Sequence, residues 1–80
     1  MPVPVVFRLG PYRFLIYSNE PDEPPHVHVK RDGAVAKLWL APVRLGRASG
    51  FAALELRRIA RLVATHETLL LDAWNSRPQP

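Results

Sequence analysis

The sequence predicts a small two-layer α+β domain, in which a mostly antiparallel sheet of three or four strands carries one long C-terminal helix on one face. Two observations support this fold class. The first half of the chain alternates apolar and polar residues in short runs separated by turn residues, which is typical of antiparallel strands. The last third repeats its apolar residues at helical spacing. One helix can cover only one face of such a sheet, so the other face is expected to meet a partner.

Length and composition limit the class of protein. With 80 residues, 48% of them hydrophobic, the chain can build one modest core, so we expect a single domain over residues 1–80 with flexible ends at about 1–4 and 76–80. The absence of cysteine excludes a disulfide framework and a thiolate metal site. Neither a signal peptide nor a membrane-spanning apolar run is evident, so we expect a cytoplasmic protein without membrane contact. The net charge of +4 favours acidic partners.

Two hairpins are predicted in the first half of the chain. Val5–Leu9 and Tyr12–Ser18 are rich in β-branched and aromatic residues and flank a Gly-Pro turn. His26–Lys30 and Ala34–Leu40 flank an Asp-Gly dipeptide, which favours a tight hairpin turn. Between the hairpins, Asn19–Pro25 contains three prolines and three acidic residues, so a surface loop is expected there.

The second half is predicted to form a linker and one helix. Pro42 ends the last predicted strand, and Gly46–Gly50 is expected to be a linker. A helix is predicted from about Ala53 to Asn75 because its apolar residues fall on one stripe. The stripe comprises Leu56, Ile59, Val63, Leu70 and Trp74. The opposite side of the helix is polar and comprises Arg57, Arg58, Arg61, Thr65, Thr68 and Asp72.

Strand alternation assigns the sheet residues to two faces. The residues predicted to face the helix are Phe14, Ile16, Val27, Val29, Ala36 and Leu38. The residues predicted on the other face are Arg13, Leu15, Tyr17, His26, His28, Lys30, Val35, Lys37 and Trp39. This second face is basic, aromatic and partly apolar, so it is expected to bind a protein partner or to form a homodimer.

Two of the three histidines, His26 and His28, lie two residues apart in a predicted strand. A strand sends residues i and i+2 to the same face, so both imidazoles are predicted to project side by side and away from the helix. In one interpretation the histidines hydrogen-bond to the Asn19–Pro25 loop and determine its shape. No cofactor is required for that role.

Two chemical alternatives use the same pair of histidines. In the first, the pair binds Zn²⁺ as a cofactor, with Asp22, Glu23 or His66 as a further ligand. In the second, the pair is catalytic and cleaves a phosphodiester by general acid–base catalysis beside Arg13 or Lys37. RNA is then the expected substrate. Whether the protein is an enzyme is left open by these residues.

Further polar residues have less specific roles. His66 is expected to be a hydrogen-bonded, half-buried residue of the helix, and Glu67 should reach a basic residue or a histidine of the sheet. Tyr17 and Trp39 could stack on RNA bases, although the signature motifs of RNA-binding sheets are missing. The predicted binding surface comprises Arg13, Tyr17, Lys37, Trp39, Arg57 and Arg61.

Four strings, in order along the chain, closely resemble a small prokaryotic family called domain of unknown function 4160. They are Tyr17–Glu20, Glu23–Val29, Ala36–Val43 and Leu70–Asn75. The Pro-Pro-His-x-His core is the most specific of these. The resemblance implies a short stand-alone protein, encoded next to another small protein in what looks like a toxin–antitoxin module. It implies no particular chemistry, so the expected function is an interaction module whose partner is that neighbouring protein.

Two departures from the family pattern concern single side chains. The family usually has an acidic residue where Ala41 stands, so a carboxylate role at this position is lost. The family commonly begins its helix with Phe-Ser or Phe-Asn, whereas this chain has Phe51 followed by Ala52. Ala52 cannot cap the helix, although Glu55 remains available as half of a capping box.

Overall fold

The structure is a computed structural model that describes residues 4–18 and 22–77. Residues 1–3, 19–21 and 78–80, which hold much of the predicted flexible ends and part of the predicted loop, lie outside the described residues. The strands and helices are β1 Val5–Leu9, β2 Tyr12–Ile16, β3 His26–Arg31, β4 Ala34–Trp39, β5 Arg44–Ser49, α1 Ala53–Thr65 and α2 Glu67–Asn75.

The strands form one antiparallel sheet with the order β1-β2-β3-β4-β5. Gly10 and Asp32 adopt left-handed backbone conformations in the turns of the two predicted hairpins, with φ of 59° and 54°. Glycine lacks a Cβ and aspartate tolerates this region, so both residues suit these turns. The β1–β2 and β3–β4 hairpins predicted from the sequence are confirmed.

The core lies between one face of the sheet and the two helices. Its buried residues are Phe14, Ile16, Val27, Val29, Ala36, Leu38, Leu40, Ile59, Val63, Leu70 and Trp74. All were predicted except Leu40, which follows the last residue of β4. Leu56, also predicted in the core, is half-buried against it. The α+β class and the predicted core face of the sheet are therefore confirmed.

The sheet has a fifth strand where the sequence predicted a linker. Arg44–Ser49 pairs antiparallel with β4, and all six of its residues are exposed. The apolar residues Leu45 and Ala48 of this segment are three positions apart, so no apolar alternation marks it as a strand. It is held by the backbone hydrogen bonds that the edge of β4 offers. The sheet therefore has five strands, rather than the predicted three or four.

The predicted single helix is two helices, α1 and α2, separated at His66. His66 has φ −108° and ψ 21°, outside the helical region. The Thr65 hydroxyl donates to the carbonyl oxygen of Arg61 at 3.0 Å, and the His66 Nδ1 lies 2.9 Å from that of Leu62. Side chains that bind the preceding turn compete with regular backbone bonding and bend helices. Apolar periodicity alone does not detect such a break.

Leu15 is buried, contrary to its predicted place in an exposed apolar patch. Its exposed fraction is 8%, whereas that of Val35 is 39%. Leu15 lies on β2, between Val6 of β1 and His28 of β3, so neighbouring side chains cover it. In the described part of the chain, no helix combines the length and apolar character needed to cross a membrane.

Candidate binding cleft on the distal sheet face

The face of the sheet opposite α1, called here the distal face, carries a cleft of about 410 Å³. Its lining residues are Tyr17, His28, Lys30, Val35, Ala36, Lys37, Arg47 and Ala48. Strands β3, β4 and β5 contribute these residues, together with Tyr17 just after β2. Their proximity follows from the register, in which His28 and Arg47 both lie opposite Lys37.

The cleft is positively charged. Lys30, Lys37 and Arg47 contribute three cationic side chains, and none of the described residues that line it is acidic. The Lys30 ammonium donates a hydrogen bond of 3.4 Å to the Tyr17 hydroxyl. The cleft therefore presents cations beside an aromatic ring and an imidazole, which is an environment that suits carboxylates or phosphates.

Lys37 is the most tightly held of these cations. Its ammonium pairs with the Glu23 carboxylate and lies 4.6 Å from the centre of the Trp39 ring. Only 11% of its side chain is exposed. An ammonium that is largely removed from water interacts more strongly with nearby charges than an exposed one. Lys37 thus connects the loop before β3 to the cleft.

The loop before β3 is bonded to β4 and to the residue that follows it. The Leu40 amide donates to the Pro25 carbonyl oxygen at 2.9 Å, and the Glu23 carboxylate binds Lys37. Proline restricts the backbone, so the two prolines of this segment reduce the number of conformations that these contacts must select from. Residues 22–25 of the predicted Asn19–Pro25 loop thereby hold a fixed position beside the distal face.

His26 is buried, with an exposed fraction of 1%. Its ring centre lies 5.6 Å from that of Trp39 and 4.9 Å from that of Trp74 in α2. The Nδ1 donates to the Pro24 carbonyl oxygen at 2.9 Å. His26 shares the side of β3 with His28, as predicted, but it is not exposed there, because Trp74 of α2 packs against its ring. The contact with Pro24 is the kind of loop contact that the structural interpretation predicted.

His28 has a different environment from His26. The two ring centres are 5.1 Å apart, so the imidazoles are neighbours, as the strand spacing predicted. His28 is half-buried, lines the cleft and packs edge-on against Tyr17 with 4.9 Å between ring centres. Of the two histidines, His28 is therefore the one placed to meet a ligand in the cleft.

The residues suggested as further zinc ligands lie in different places. Glu23 binds Lys37, and Asp22 is exposed. His66 lies at the junction of α1 and α2, where its Nδ1 contacts a backbone carbonyl. Among residues 4–18 and 22–77, no group of three or more histidine and acidic side chains is arranged to hold a metal ion. Zinc binding by His26 and His28 remains a prediction.

The remaining predicted site residues are divided between the two layers. Arg13, Tyr17, Lys37 and Trp39 belong to the distal face, whereas Arg57 and Arg61 are exposed on α1 in the helical layer. The structure therefore brings four of the six predicted binding residues together. Arg47 was not among the predicted binding residues, because the segment that carries it was expected to be a linker. The available signal was the presence of two arginines within four residues, at positions 44 and 47.

Glu67 and Glu55 both form hydrogen bonds between the helices and other parts of the chain. The Glu67 carboxylate accepts a 3.0 Å hydrogen bond from the Ala41 amide, so its partner is a backbone group rather than the predicted basic residue or histidine. Glu55 accepts from Arg31 at 2.7 and 2.8 Å and from the Tyr12 hydroxyl at 2.8 Å. It does not form the capping box considered above. These hydrogen bonds, first from Arg31 and then from Tyr12, lower the pKa of Glu55 below its usual range.

A family model described as Domain of unknown function (DUF4160) matches residues 12–75. The match covers β2 to α2, which includes the lining residues of the cleft and both residues of the histidine pair. Neither the curated proteins nor the solved structures give a significant match to the chain.

Proposed function

Because the chain belongs to the family Domain of unknown function (DUF4160), whose description states no activity, we propose a function from the geometry of the distal face. The protein acts as a binding module in a two-protein, toxin–antitoxin-like system. Its distal face binds an acidic surface of a small protein encoded nearby. The observation that carries the proposal is the cationic cleft between β3, β4 and β5.

The shape and charge of the cleft suit acidic side chains of a protein. A volume of about 410 Å³ lies within the range of ligand pockets and accommodates a few side chains. Lys30 and Arg47 provide the opposite charge to carboxylates, and Lys37, which also pairs with Glu23, adds a third cation beside them. Arginine in particular can bind a carboxylate through two parallel hydrogen bonds, which fixes the orientation of the partner.

Aromatic side chains beside the cleft favour a protein interface. Tyr17 lines the cleft, and Trp39 lies next to it under the Lys37 ammonium. Tyrosine, tryptophan and arginine are the residue types that most often dominate binding energy at protein interfaces. Both rings are half-buried, so they offer apolar area with little loss of side-chain freedom on binding.

The test is isothermal titration of this protein with the product of the neighbouring gene. Lys37→Ala and Arg47→Ala should each weaken binding by about tenfold or more, as expected for a loss of roughly 1–3 kcal/mol when a charge that contacts the partner is removed. Arg57→Ala and Arg61→Ala are matched controls, since they remove the same charge from the helical layer. Equal or larger losses in these two controls would place the interface on α1 and contradict the proposal.

A second candidate, cleavage of RNA, is favoured by one observation, the position of His28 among the cations of the cleft. The same preparations should then cleave RNA in the presence of a chelator, and the activity should disappear in His28→Ala. Activity that instead needs added Zn²⁺ would favour the metal alternative. Binding of the partner by the unaltered protein, with no cleavage of RNA, supports the binding module.

A further inference from the structure

Strand β5 is an exposed edge of the sheet. It pairs with β4 along one side, and no strand within residues 4–18 and 22–77 pairs with its other side. All six residues of β5 are exposed. A free strand edge presents unpaired backbone N–H and C=O groups, which can pair with an extended segment of another chain.

The side chains of β5 form two different rows. Arg47 lies opposite Lys37 and Arg44 opposite Trp39, so both arginines belong to the distal face. The other row, on the side of the helical layer, contains Leu45, which lies opposite Leu38, and Ala48, which lies opposite Ala36 and also borders the cleft. Leu45 has an exposed fraction of 47%, although its partner on β4 is fully buried. The edge therefore offers two cations on one face and uncovered apolar surface on the other.

The charges of β5 disfavour a second copy of this chain on the edge. Two antiparallel β5 strands would bring four arginines together along one interface, and like charges across a strand pair are destabilising. The other sheet edge, β1, has only Arg8 as a charged residue, so it lacks this selectivity. Charged residues on an edge strand protect it from self-pairing, and the same charges attract an acidic strand.

We infer that β5 binds an extended segment of the partner as an additional antiparallel strand, in which acidic residues alternate with apolar residues. The acidic side chains lie beside Arg44 and Arg47 on the distal face, and the apolar side chains cover Leu45 and Ala48. The inference rests on the proposed function, because Arg47 also lines the cleft and joins the two surfaces.

The test uses a blocked synthetic peptide of about eight residues, the length of an ordinary strand, that alternates glutamate and valine. Nuclear magnetic resonance of the isotope-labelled protein should show the largest amide shifts in β5. A peptide with N-methyl groups on alternate amides keeps its charge but loses the backbone donors of one side, so it should bind at least about tenfold more weakly. Unchanged affinity on methylation would overturn strand pairing.

Charge exchange provides the matched protein variant. The protein with both Arg44→Glu and Arg47→Glu should no longer bind the glutamate–valine peptide. It should instead bind a lysine–valine peptide of the same length. Thermal unfolding checks that the exposed substitutions leave the fold intact. Shifts confined to α1, or a preference for the lysine–valine peptide by the unaltered protein, would contradict the inference.

The proposal for the β5 edge and the proposal for the cleft can be tested separately. If Lys37→Ala weakens the natural partner while the charge-exchanged protein binds that partner normally, the cleft is the interface and the strand addition is wrong. If neither change affects the natural partner, the proposed function itself is wrong. If both weaken it and the N-methyl peptide binds poorly, both proposals are supported.

Discussion

Trp74 connects the C-terminal helix to the His-x-His strand through a few ring contacts. Its ring lies against His26 and under the guanidinium of Arg77, which is 3.7 Å from the ring centre. Only 5% of Trp74 is exposed. Tryptophan buries a large apolar area, so this one side chain contributes strongly to the docking of α2.

Trp74→Ala should lower the free energy of unfolding by about 3–5 kcal/mol, because it leaves a large cavity between α2 and β3. Urea unfolding followed by circular dichroism measures the change. Leu69→Ala in the same helix is the control. Leu69 is 44% exposed, so its loss should change stability by less than about 1 kcal/mol. Similar effects of the two substitutions would mean that Trp74 does not anchor the helix.

The two neighbouring histidines should respond differently to the same substitution. His26→Ala removes a buried ring and the donor to Pro24, so we expect a loss of roughly 2–4 kcal/mol in stability. His28→Ala, at a half-buried position in the cleft, should affect stability less and ligand binding more. Thermal unfolding and titration with the partner separate these effects. The opposite ranking in stability would contradict the assignment of His26 to the core.

At the scale of elements, Glu55 joins the first turn of α1 to β2 and β3. Its carboxylate binds the Tyr12 hydroxyl and the Arg31 guanidinium, and Phe51 lies under the same guanidinium at 5.5 Å. Hydrogen bonding to Glu55 raises the pKa of Arg31, and desolvation followed by the Glu55 hydrogen bond raises that of Tyr12. The ionised form of Glu55 is the form that the fold stabilises.

The lowered pKa of Glu55 determines the direction of its pH dependence. Its stabilising contribution is complete above the usual carboxyl pKa of the unfolded chain and is lost as the pH falls through the lower pKa of the folded state. Glu55→Gln should therefore reduce stability at neutral pH and flatten its decrease in acid. Urea unfolding between about pH 7 and pH 2 measures this. Asp72→Asn, an exposed change on α2, is the control and should keep the slope of the unaltered protein.

The pairing of β5 with β4 depends on the absence of a side chain at Gly46. A register shift beside Lys37 leaves Gly46 without an opposite residue. A Cβ at this position would lie 3.0 Å from the Lys37 carbonyl oxygen and 3.1 Å from the Trp39 Nε1. Gly46 therefore allows β5 to pass close to the indole at the end of β4.

Gly46→Ala should weaken the β4–β5 pairing, with a cost of about 1–3 kcal/mol that is typical of overpacking. Hydrogen exchange of the β5 amides should become faster. Gly33→Ala is the matched control, because a Cβ there meets nothing within 4 Å. Unchanged protection of β5 in Gly46→Ala would mean that Trp39 can move aside without loss.

For the whole molecule, the distribution of charge predicts opposite salt effects for two kinds of association. The chain has a net charge of +4, and the distal face carries Arg13, Lys30, Lys37 and Arg47. Binding of an acidic partner should weaken as salt rises from about 50 to about 500 mM, because the attraction is screened. The homodimer considered from the sequence would join like charges, so salt should strengthen it. Sedimentation velocity with and without the partner distinguishes these two kinds of association. An affinity for the acidic partner that increases with salt would contradict the proposed interface.

Local patterns in the sequence were sufficient to predict much of the fold. Alternation predicted Val27 and Val29 beneath α1, and helical spacing predicted Ile59, Val63 and Leu70 in the core. The turn residues predicted both hairpins. These features depend on neighbours within a few positions along the chain, so the strand and helix periods carry the necessary information. The adjacency of His26 and His28 follows from the same rule.

Contacts between distant segments decided the rest. Backbone bonds to β4 make Arg44–Ser49 a strand, and Trp74 of α2 packs against His26 of β3. Consequently one histidine is buried while its neighbour lines a cationic cleft with Arg47. Burial and access depend on which surfaces meet in three dimensions, and residue types at fixed spacing do not encode that choice locally.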